Sequence, residues 1–355
     1  MSINYKNVNN PNLIIFNTND IKKNILSVWK NNNSEEKIRK IWECNNKDDF
    51  KYAILDENSN IFVSSDLIIW EKYCRAYVDV VGETSLEANE LSRLIYGNNI
   101  FIALLCIRSS NFLSALVVVE NKTIKKKIIL ESSIVFKDVI FDGNKFLFLT
   151  SDNKIYTINS DYELVFICTI TDGGRSYGKM FYFNNTYYVV NYYGRVISSN
   201  DCITWSNPIN MTGTTQTVAF KYINLTYENN TFVFTGTMAS ASYPAYNYYS
   251  FNGISWSKMN STNKFVLLSS GNGIFISKIL SNTYPFISTN GSDFVINKTY
   301  SFPSGNLDII KYGYGQFVRA IDNNLYMSNN NCETWKQVFT FKDDIMDFDF
   351  TIKKN

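Results

Sequence analysis

The sequence predicts an all-β fold, a single closed β-propeller built from four-stranded blades. Three observations predict it. A seven-residue phrase recurs along the chain, short alternating apolar runs precede most copies, and units of four such runs follow one another about every 40 residues. Self-similarity at a fixed period indicates one supersecondary unit that is repeated around a common centre.

The phrase reads Ser-x-Asp/Asn-small-x-Thr/Ser-Trp. Its clearest copies end at Trp205 and Trp256, a third ends at Trp335, and weaker copies end at Trp70 and Phe294. The polar and small positions of the copies are Ser64 and Asp66; Ser199, Asp201, Cys202 and Thr204; Ser250, Asn252, Gly253 and Ser255; Ser288, Asn290 and Gly291; and Asn329, Asn331, Cys332 and Thr334.

Each residue type in the phrase suits a turn between the third and fourth strands of a blade. An Asp or Asn accepts backbone N–H bonds, a Gly or Cys keeps the crowded centre small, and a hydroxyl satisfies a further turn group. The Trp is expected to wedge between blades and to bury about 150–250 Å². Asp66 and Asp201 supply one carboxylate per turn, too few for a Ca²⁺ shell, so the phrase predicts a folding element.

One unit illustrates the strand pattern. Val139–Phe141, Phe146–Thr150, Ile155–Ile158 and Leu164–Cys168 are predicted strands, and Asp142–Asn144 is a hairpin turn between the first two. The pattern recurs at 178–209, 92–130, 218–260, 263–300 and 307–339, and in a diverged form at 37–75. Seven blades are expected, with six or eight as the alternatives.

The ends of the chain predict how the ring closes. Ile345–Phe350 resembles the first strand of a blade that has no further strands, whereas Leu13–Phe16 and Ile25–Trp29 resemble strands without a first strand. We therefore expect the C-terminal strand to join an N-terminal blade, either completing the first blade or forming an eighth. Residues 1–36 are expected to be an arm or closing strands, and residues 37–355 the propeller.

Composition excludes several classes of function. The 355 residues carry a formal charge of +2, so a nucleic-acid partner is not expected. The dense basic run Lys125–Lys127 is expected at a solvated strand edge. No apolar stretch is long enough for membrane insertion, and Met1–Asp20 lacks the layout of a secretory signal, which predicts synthesis in the cytoplasm. The 6 cysteines include no CxxC and are expected to be free thiols.

The chain contains no histidine. This excludes His-based triads, His general bases and His-ligated zinc, and no metal or other cofactor is expected.

The phrase resembles the Asp-box, or bacterial neuraminidase repeat, over roughly residues 40–340. The resemblance implies a propeller similar to sialidases, but not an activity, because the family includes hydrolases, receptors, assembly factors and phage tail proteins. The short form at Ser199–Trp205 and Ser250–Trp256 resembles the variant common in phage and phage-like tail propellers.

A sialidase clamps the substrate carboxylate with an arginine cluster. None of the seven arginines of this chain lies in the Arg-Ile-Pro context of that family. Endoglucanases of a similar propeller type use two facing carboxylates, and spacing alone does not identify such a pair. The protein is therefore expected not to be an enzyme, with a glycoside hydrolase of sialidase-like propeller type as an alternative.

The long connections are expected on the face opposite the phrase. They are Thr237–Asn247, Thr171–Gly178 and Tyr77–Leu91. Long loops on a rigid scaffold often carry binding function.

Four residues of these connections are the predicted ligand contacts: Tyr243, Tyr246, Tyr177 and Arg175. Tyr offers a large contact area at little entropic cost, together with a polar hydroxyl. In the alternative interpretation these tyrosines only pack their own loops.

Taken together, these patterns favour a non-catalytic binding or structural module. The expected setting is a tail, baseplate or host-recognition component of a phage or phage-derived contractile particle from an AT-rich Gram-positive bacterium. A particle that is assembled in the cytoplasm and released by lysis needs no secretory signal. The expected partners are other tail or baseplate proteins or a bacterial cell-surface glycan. A cytoplasmic protein-interaction scaffold is the remaining alternative.

Overall fold

The computed structural model describes residues 50–351 of the chain, apart from residues 79–91, 107–113, 131–133, 172–176, 213–218, 221, 238–245, 261–262, 264, 280–283, 300 and 302–307. It also describes the backbone of three short strands, β1 (Asn4–Asn7), β2 (Ile14–Asn17) and β3 (Ser27–Val28), which pair with one another in a separate antiparallel sheet.

In chain order the propeller strands are β4 (Tyr52–Asp56), β5 (Asn60–Ser64), β6 (Glu71–Arg75), β7 (Arg93–Gly97), β8 (Ile100–Cys106), β9 (Ser114–Glu120), β10 (Thr123–Ile129), β11 (Phe136–Phe141), β12 (Phe146–Thr150), β13 (Lys154–Ile158), β14 (Leu164–Thr169), β15 (Tyr177–Phe183), β16 (Thr186–Asn191), β17 (Arg195–Ser199), β18 (Ile209–Asn210), β19 (Tyr222–Glu228), β20 (Thr231–Thr237), β21 (Tyr246–Ser250), β22 (Ser257–Lys258), β23 (Phe265–Gly271), β24 (Ile274–Ile279), β25 (Phe286–Ser288), β26 (Val295–Ile296), β27 (Asp308–Gly313), β28 (Gln316–Ile321), β29 (Asn324–Ser328), β30 (Lys336–Thr340) and β31 (Ile345–Phe350).

These strands form seven four-stranded antiparallel sheets, which are the blades of a β-propeller. Blade 1 has the order β31-β4-β5-β6, and blades 2 to 7 are β7–β10, β11–β14, β15–β18, β19–β22, β23–β26 and β27–β30. The first strands of consecutive blades contact one another all round the ring, including β27 against β31. The predicted fold and the count of seven blades are confirmed.

The C-terminal strand closes the ring by completing blade 1. β31 pairs with β4, with Phe350 opposite Tyr52 and Ile345 opposite Asp56. The expected joining of the C-terminal strand to an N-terminal blade is therefore confirmed, with β4 as its partner. The predicted strands near residues 13–16 and 25–29 correspond to β2 and β3, which form a sheet with β1 and do not pair with β31, and no separate eighth blade forms among the described residues. The boundary between residues 36 and 37 stays a prediction.

Burial follows the position of a strand within its blade. The second strands β4 and β12 are buried at every residue, because both of their faces pack against neighbouring blades. The outer strand β10 alternates between exposed and half-buried residues. Alternating aromatic and β-branched residues therefore build the core between the blades, where each fully buried side chain contributes about 1.5–3 kcal/mol.

Glycines at the ends of first strands allow aromatic rings of the next blade to approach closely. The pairs are Gly97 with Phe141, Gly271 with Tyr312, and Gly313 with Phe350. A Cβ atom on Gly271 would lie 2.1 Å from Cδ1 of Tyr312. Only glycine fits at this contact, so it sets the spacing between the inner strands of blades 6 and 7.

The asparagine content has a structural use in the turns. Of the 18 non-glycine residues with positive φ in the described chain, 10 are asparagine, which tolerates left-handed backbone conformations. Four asparagines between first and second strands also donate side-chain hydrogen bonds to the next blade: Asn98 to the Asn144 carbonyl (2.8 Å), Asn184 to the Tyr227 hydroxyl (2.8 Å), Asn229 to the Gly273 carbonyl (2.9 Å) and Asn272 to the Asn331 amide oxygen (2.6 Å).

The phrase forms the turn between the third and fourth strands of its blades. In blade 5, Ser250 Oγ accepts a hydrogen bond from the N–H of Gly253 at 2.9 Å. Asn252 Oδ1 accepts from the N–H groups of Ile254 (2.9 Å) and Ser255 (2.8 Å). One side chain thus satisfies two backbone donors that the tight turn leaves without a ladder partner.

The last copy of the phrase differs from the predicted alignment. Ser328, not Asn329, accepts from the N–H of Cys332 at 3.0 Å, and Asn330, not Asn331, accepts from the N–H of Thr334 at 3.1 Å. This turn is one residue longer than the others. The extra residue hides the correct alignment when the copies are compared without a gap.

The small position is governed by backbone conformation and not by size alone. Leu67 occupies it in blade 1 with φ of 67° and is 1% exposed. Cys202 (φ 62°) and Gly253 (φ 70°) occupy the same position elsewhere. The position therefore requires a positive φ and accepts a large apolar side chain where the neighbouring blade leaves room.

The aromatic residue that ends the phrase packs against the preceding blade. The ring of Trp70 in blade 1 lies 5.1 Å from the ring of Phe341 and 6.2 Å from that of Phe339. Phe339 belongs to β30, the outer strand of blade 7, and Phe341 follows that strand. Trp335 in blade 7 packs in one cluster with Ile274 and Ile276 of blade 6. The repeated phrase thus links blades in sequence around the ring.

Candidate functional site

The structure describes two of the four predicted ligand residues, Tyr177 and Tyr246. Tyr243 and Arg175 lie outside the described residues. Tyr177 begins β15 and is 0% exposed, so its side chain packs the core between blades 3 and 4 instead of meeting a ligand. Tyr246 begins β21, is half-buried, and packs its ring 5.0 Å from that of Phe220. For both described tyrosines, the packing interpretation fits the structure.

A set of charged side chains on the first strands forms a different candidate site. Each lies opposite an equivalent residue of the second strand in its blade. They are Asp347 in blade 1, Arg93 in blade 2, Asp138 in blade 3 and Lys179 in blade 4. Negative and positive residues therefore alternate at one level of four consecutive inner strands. Arg93 and Asp347 act electrostatically on Lys179 although their blades are not neighbours of blade 4, so these groups converge on the central channel.

The carboxylates of this set bind the inner edge of the next blade. Asp347 Oδ2 accepts from the backbone N–H of Leu94 at 2.9 Å, and Asp138 Oδ2 accepts from that of Met180 at 2.8 Å. Asp349 Oδ2 accepts from the N–H of Tyr96 at 3.0 Å in the same way. A first strand has no neighbour on its channel side, so these carboxylates satisfy N–H groups that would otherwise be left without partners.

The second oxygen of each carboxylate faces a cation. Lys311 Nζ lies 3.1 Å from Asp347 Oδ1 and 3.9 Å from Asp349 Oδ1, and it also donates to the carbonyl of Phe348. Arg93 Nε lies 3.9 Å from Asp138 Oδ1. We name Arg93, Asp138, Lys179, Lys311, Asp347 and Asp349 the channel charges.

Burial in the channel shifts the pKa values of these groups. It raises the pKa of Asp349 to about 6, with Lys311 acting in the opposite direction. It also raises the pKa of Asp138, against the effect of Arg93. Burial, reinforced by the positive charge of Arg93, lowers the pKa of Lys179 to about 8. Shifts of this kind occur both at functional sites and in structural ion networks.

A second buried charge cluster joins blades 6 and 7. Arg319 on β28 is 1% exposed and donates two hydrogen bonds to Asp308, from Nε to Oδ1 at 2.7 Å and from Nη2 to Oδ2 at 2.5 Å. Lys278 Nζ of blade 6 lies 2.6 Å from Asp308 Oδ2. Such a buried bidentate pair fixes the relative positions of the Arg319 and Asp308 side chains.

The arrangement of the channel charges is suited to holding blades together. A glycoside hydrolase needs one protonated carboxyl group and one free carboxylate on opposite sides of the substrate bond. Here Asp347 and Asp349 lie on one strand, share Lys311, and each commit one oxygen to a backbone N–H.

Within the described ranges, no group of three or more Cys, Asp or Glu side chains could hold a metal ion. No helix in the same part of the chain is long and apolar enough to cross a bilayer.

Large apolar side chains are exposed on the face that carries the phrase. The isoleucine after the small position is 60% exposed at Ile68, 63% at Ile203 and 66% at Ile254. Phe251 and Val295, beside the turns of blades 5 and 6, are 70% and 69% exposed. We name Ile203, Phe251, Ile254 and Val295, which lie on the consecutive blades 4, 5 and 6, the turn-face arc.

The repeat phrase predicts neither the channel charges nor the turn-face arc, but each of the two has a pattern in the sequence. The channel charges interrupt apolar first strands, as in Lys179-Met180 and in Asp347-Phe348-Asp349. The exposed isoleucines occupy a position that the phrase leaves variable. Aligning the first strands of all blades, and reading that variable position across the copies, identifies both groups.

Comparison with known proteins shows the fold and no closer relationship. No family model and no curated protein matches the chain. Among solved structures, streptogramin B lyase is 11% identical with a TM-score of 0.51 and covers 71% of this chain and 83% of its own. The Pan2 WD40 domain of Neurospora crassa is 7% identical with a TM-score of 0.51, covering 73% and 82%. YCF48 bound to a D1 peptide is 11% identical with a TM-score of 0.50, covering 82% and 86%.

These three structures carry different functions on one architecture. One is named as a lyase, one is a WD40 domain, and one is a complex with a peptide. At such low identity, similarity of the backbone says nothing about which residues act. The comparisons therefore establish that this chain is a β-propeller, and its function has to be argued from its own residues.

Proposed function

We propose that the protein is a non-catalytic binding and structural β-propeller that docks on a partner protein through the turn-face arc. The arc carries this proposal because it exposes large apolar side chains on three consecutive blades, each at least 63% exposed. Single exposed apolar residues are ordinary, but the same turn position carries an isoleucine in blades 1, 4 and 5. Exposed apolar surface of this kind favours contact with another protein.

The channel charges support the non-catalytic part of the proposal. Their carboxylates accept hydrogen bonds from backbone N–H groups and lie next to cations, so these charged groups serve the ring. The YCF48 structure, solved with a peptide, is an example of this fold binding a protein segment.

The proposed setting is a tail, baseplate or host-recognition part of a phage or phage-derived contractile particle. It is supported by the short form of the phrase at Ser199–Trp205 and Ser250–Trp256, which resembles the repeat of phage-like tail propellers. In this setting the chain is made in the cytoplasm and leaves the cell within the particle. Other tail or baseplate proteins are then the partners of the turn-face arc.

A host glycan remains the proposed ligand of the opposite face. Tyr243 and Arg175, in connections outside the described residues, provide residue types that bind sugars. Glycan binding through these connections is independent of the turn-face arc.

Two assays on the purified full chain separate the candidate functions. Co-sedimentation with intact candidate host cells, before and after removal of surface carbohydrate, tests recognition of a glycan. Incubation with a panel of sialosides and β-glucans tests hydrolysis. We expect no hydrolysis on any substrate. Turnover that is lost in Asp347→Asn or Asp349→Asn would overturn the non-catalytic assignment, and binding that carbohydrate removal abolishes would place host recognition in this chain.

A further inference from the structure

The outer strands of blades 1 and 2 carry a dense group of cations on the rim of the propeller. Six cationic side chains of β6, of β10 and of the turn that leads into β10 stand beside two carboxylates, Glu71 and Glu120. Together they give a formal charge of +4, whereas the whole chain carries +2, so all other residues together are net negative. We name the six cations the basic rim: Lys72, Arg75, Lys122, Lys125, Lys126 and Lys127.

Contacts between the two blades bring the cations of β6 and β10 together. Lys122 Nζ of blade 2 lies 3.2 Å from Glu71 Oε1 of blade 1. The ring of Tyr77, which follows β6, has Lys127 Nζ 4.1 Å from its centre and Arg75 Cζ 5.4 Å from its centre. The basic rim is therefore one surface that crosses the boundary between blades 1 and 2.

Aromatic rings hold several of these cations in place. A cation over an aromatic face is attracted by the ring, as Lys122 Nζ is at 5.9 Å from the centre of the Tyr73 ring. Lys127 and Arg75 share the ring of Tyr77, so their positive charges repel each other, and an anion bound beside them would relieve this repulsion. Within the described residues, Lys127 forms no ion pair, and neither does Lys126. Both charges are therefore available to a ligand.

We propose that the basic rim binds a linear polymer with repeating phosphate groups and recognises the phosphates alone. Residues of an extended strand follow one another at about 3.3 Å, so the cations of β10 form a row that matches a linear polyanion better than a single ion. The backbone of such a polymer carries its charges directly. An acidic peptide carries them on flexible side chains, which lose more conformational entropy on binding.

The aromatic rings of the basic rim argue against recognition of bases. Proteins that bind single-stranded nucleic acid usually stack its bases on exposed aromatic side chains. Here Tyr73 is 6% exposed, and the ring of Tyr77 is in contact with two cations. Neither ring is available for stacking, so the phosphates are the groups that this surface can recognise. Phosphate binding at the rim is independent of the turn-face arc.

Fluorescence anisotropy with a labelled polyphosphate tests the proposal on the full chain at several salt concentrations. The test variant is Lys126→Gln/Lys127→Gln. The matched control is Lys258→Gln/Lys336→Gln, which removes two exposed lysines from the outer strands β22 and β30. We expect the test variant to bind about tenfold more weakly, and its log affinity to fall less steeply with log salt, by about 1.5 in slope, while the control matches the wild type. A wild type that does not bind, or a test variant that binds like the control, overturns the proposal.

Two further probes identify the chemistry that is recognised. A thymidine oligonucleotide and a polyglutamate, each with the same number of charges as the polyphosphate, should bind no more tightly than the polyphosphate does. Tighter binding of the oligonucleotide would show that bases are contacted, and tighter binding of polyglutamate would assign the rim to an acidic peptide. Either result contradicts recognition of the phosphates alone.

Acetylation of the wild-type lysines, followed by peptide mass spectrometry, keeps the proposal testable if the test variant does not fold. Polyphosphate should protect Lys126 and Lys127 from acetylation, whereas Lys258 and Lys336 should react at the same rate with and without it. Rates that polyphosphate leaves unchanged at all four lysines would contradict binding at the basic rim.

Discussion

The Asp347 carboxylate accepts a hydrogen bond from the backbone N–H of Leu94 at 2.9 Å, across 253 positions of the sequence. Lys311 Nζ lies 3.1 Å from the other oxygen of the same carboxylate. Asp347 belongs to blade 1, Leu94 to blade 2 and Lys311 to blade 7. A single side chain therefore connects three blades at the place where the C-terminal strand closes the ring.

Removing this carboxylate should weaken the ring considerably. Asp347→Ala leaves the Leu94 N–H without its acceptor and Lys311 without its nearest carboxylate, in a position where Asp347 is only 3% exposed. We expect a loss of about 3 kcal/mol in the free energy of unfolding, measured by urea denaturation. Asp161→Ala, on an exposed turn, is the control and should change the value by less than about 0.5 kcal/mol. A loss below about 1 kcal/mol for Asp347→Ala would show that the closure does not depend on this residue.

Asp349 should contribute more to the free energy of unfolding at low pH than at neutral pH. Its pKa in the folded protein is about 6, above the ordinary value of 3.8, because burial disfavours the charged form. The stabilising contribution of its protonated form is complete below pH about 4 and is lost as the pH rises through about 6. Asp349→Asn removes the charge and can keep the acceptor for Tyr96.

The free energies of unfolding of this variant and the wild type should therefore differ with pH. At pH about 7.5 we expect Asp349→Asn to be more stable by about 1–2 kcal/mol, and near pH 4 the two should be equal. Chemical denaturation at both pH values is the measurement. The same difference at both pH values would mean that the carboxyl group does not titrate in this range.

The turn of blade 5 should depend on the acceptor at Asn252. Asn252→Ala removes the oxygen that accepts from Ile254 and Ser255 at 2.9 and 2.8 Å. Loss of a comparable capping acceptor costs about 1–2 kcal/mol. Asn252→Asp keeps the acceptor, as Asp66 and Asp201 do in other copies, and should be close to wild type. Thermal unfolding of the two variants checks this, and equal melting temperatures would show that the acceptor is not needed.

The close contact between Gly271 and Tyr312 should make even a methyl group unfavourable. Gly271→Ala places Cβ 2.1 Å from Cδ1 of the Tyr312 ring. We expect destabilisation of about 2–3 kcal/mol, because the ring must move within a packed core. In a Tyr312→Ala background the same substitution should cost much less. A double-mutant cycle by denaturation measures the coupling, and additive effects of the two substitutions would argue against steric conflict.

The repeat predicts the architecture well because each blade is specified locally. The phrase, the asparagine turns and the alternating runs all lie within about 40 residues, and the unpaired strand Ile345–Phe350 indicates closure. The channel charges are different. Which carboxylate meets which N–H depends on the number of blades and on the register of strands far apart in sequence, as for Asp347 and Leu94.

The position of a strand boundary explains why Tyr177, a predicted ligand contact, is buried. The sequence pattern begins the unit of blade 4 at residue 178 and assigns Tyr177 to the connection Thr171–Gly178. In the structure β15 begins at Tyr177, with a register shift between Tyr177 and Lys179. The irregularity interrupts the alternation that marks a strand, and the earlier start carries Tyr177 into the core.

Fractionation of released particles on a density gradient tests the proposed function most directly. Three forms of the full chain are compared by immunoblot: wild type, the arc variant Ile203→Asp/Ile254→Asp, and the control Ile68→Asp, which changes the same turn position outside the arc. We expect wild type and control to migrate with the particle, whereas the folded arc variant remains in the soluble fractions. A wild-type chain that is absent from the particle band, or an arc variant that enters it as efficiently as the wild type, would contradict docking through this face.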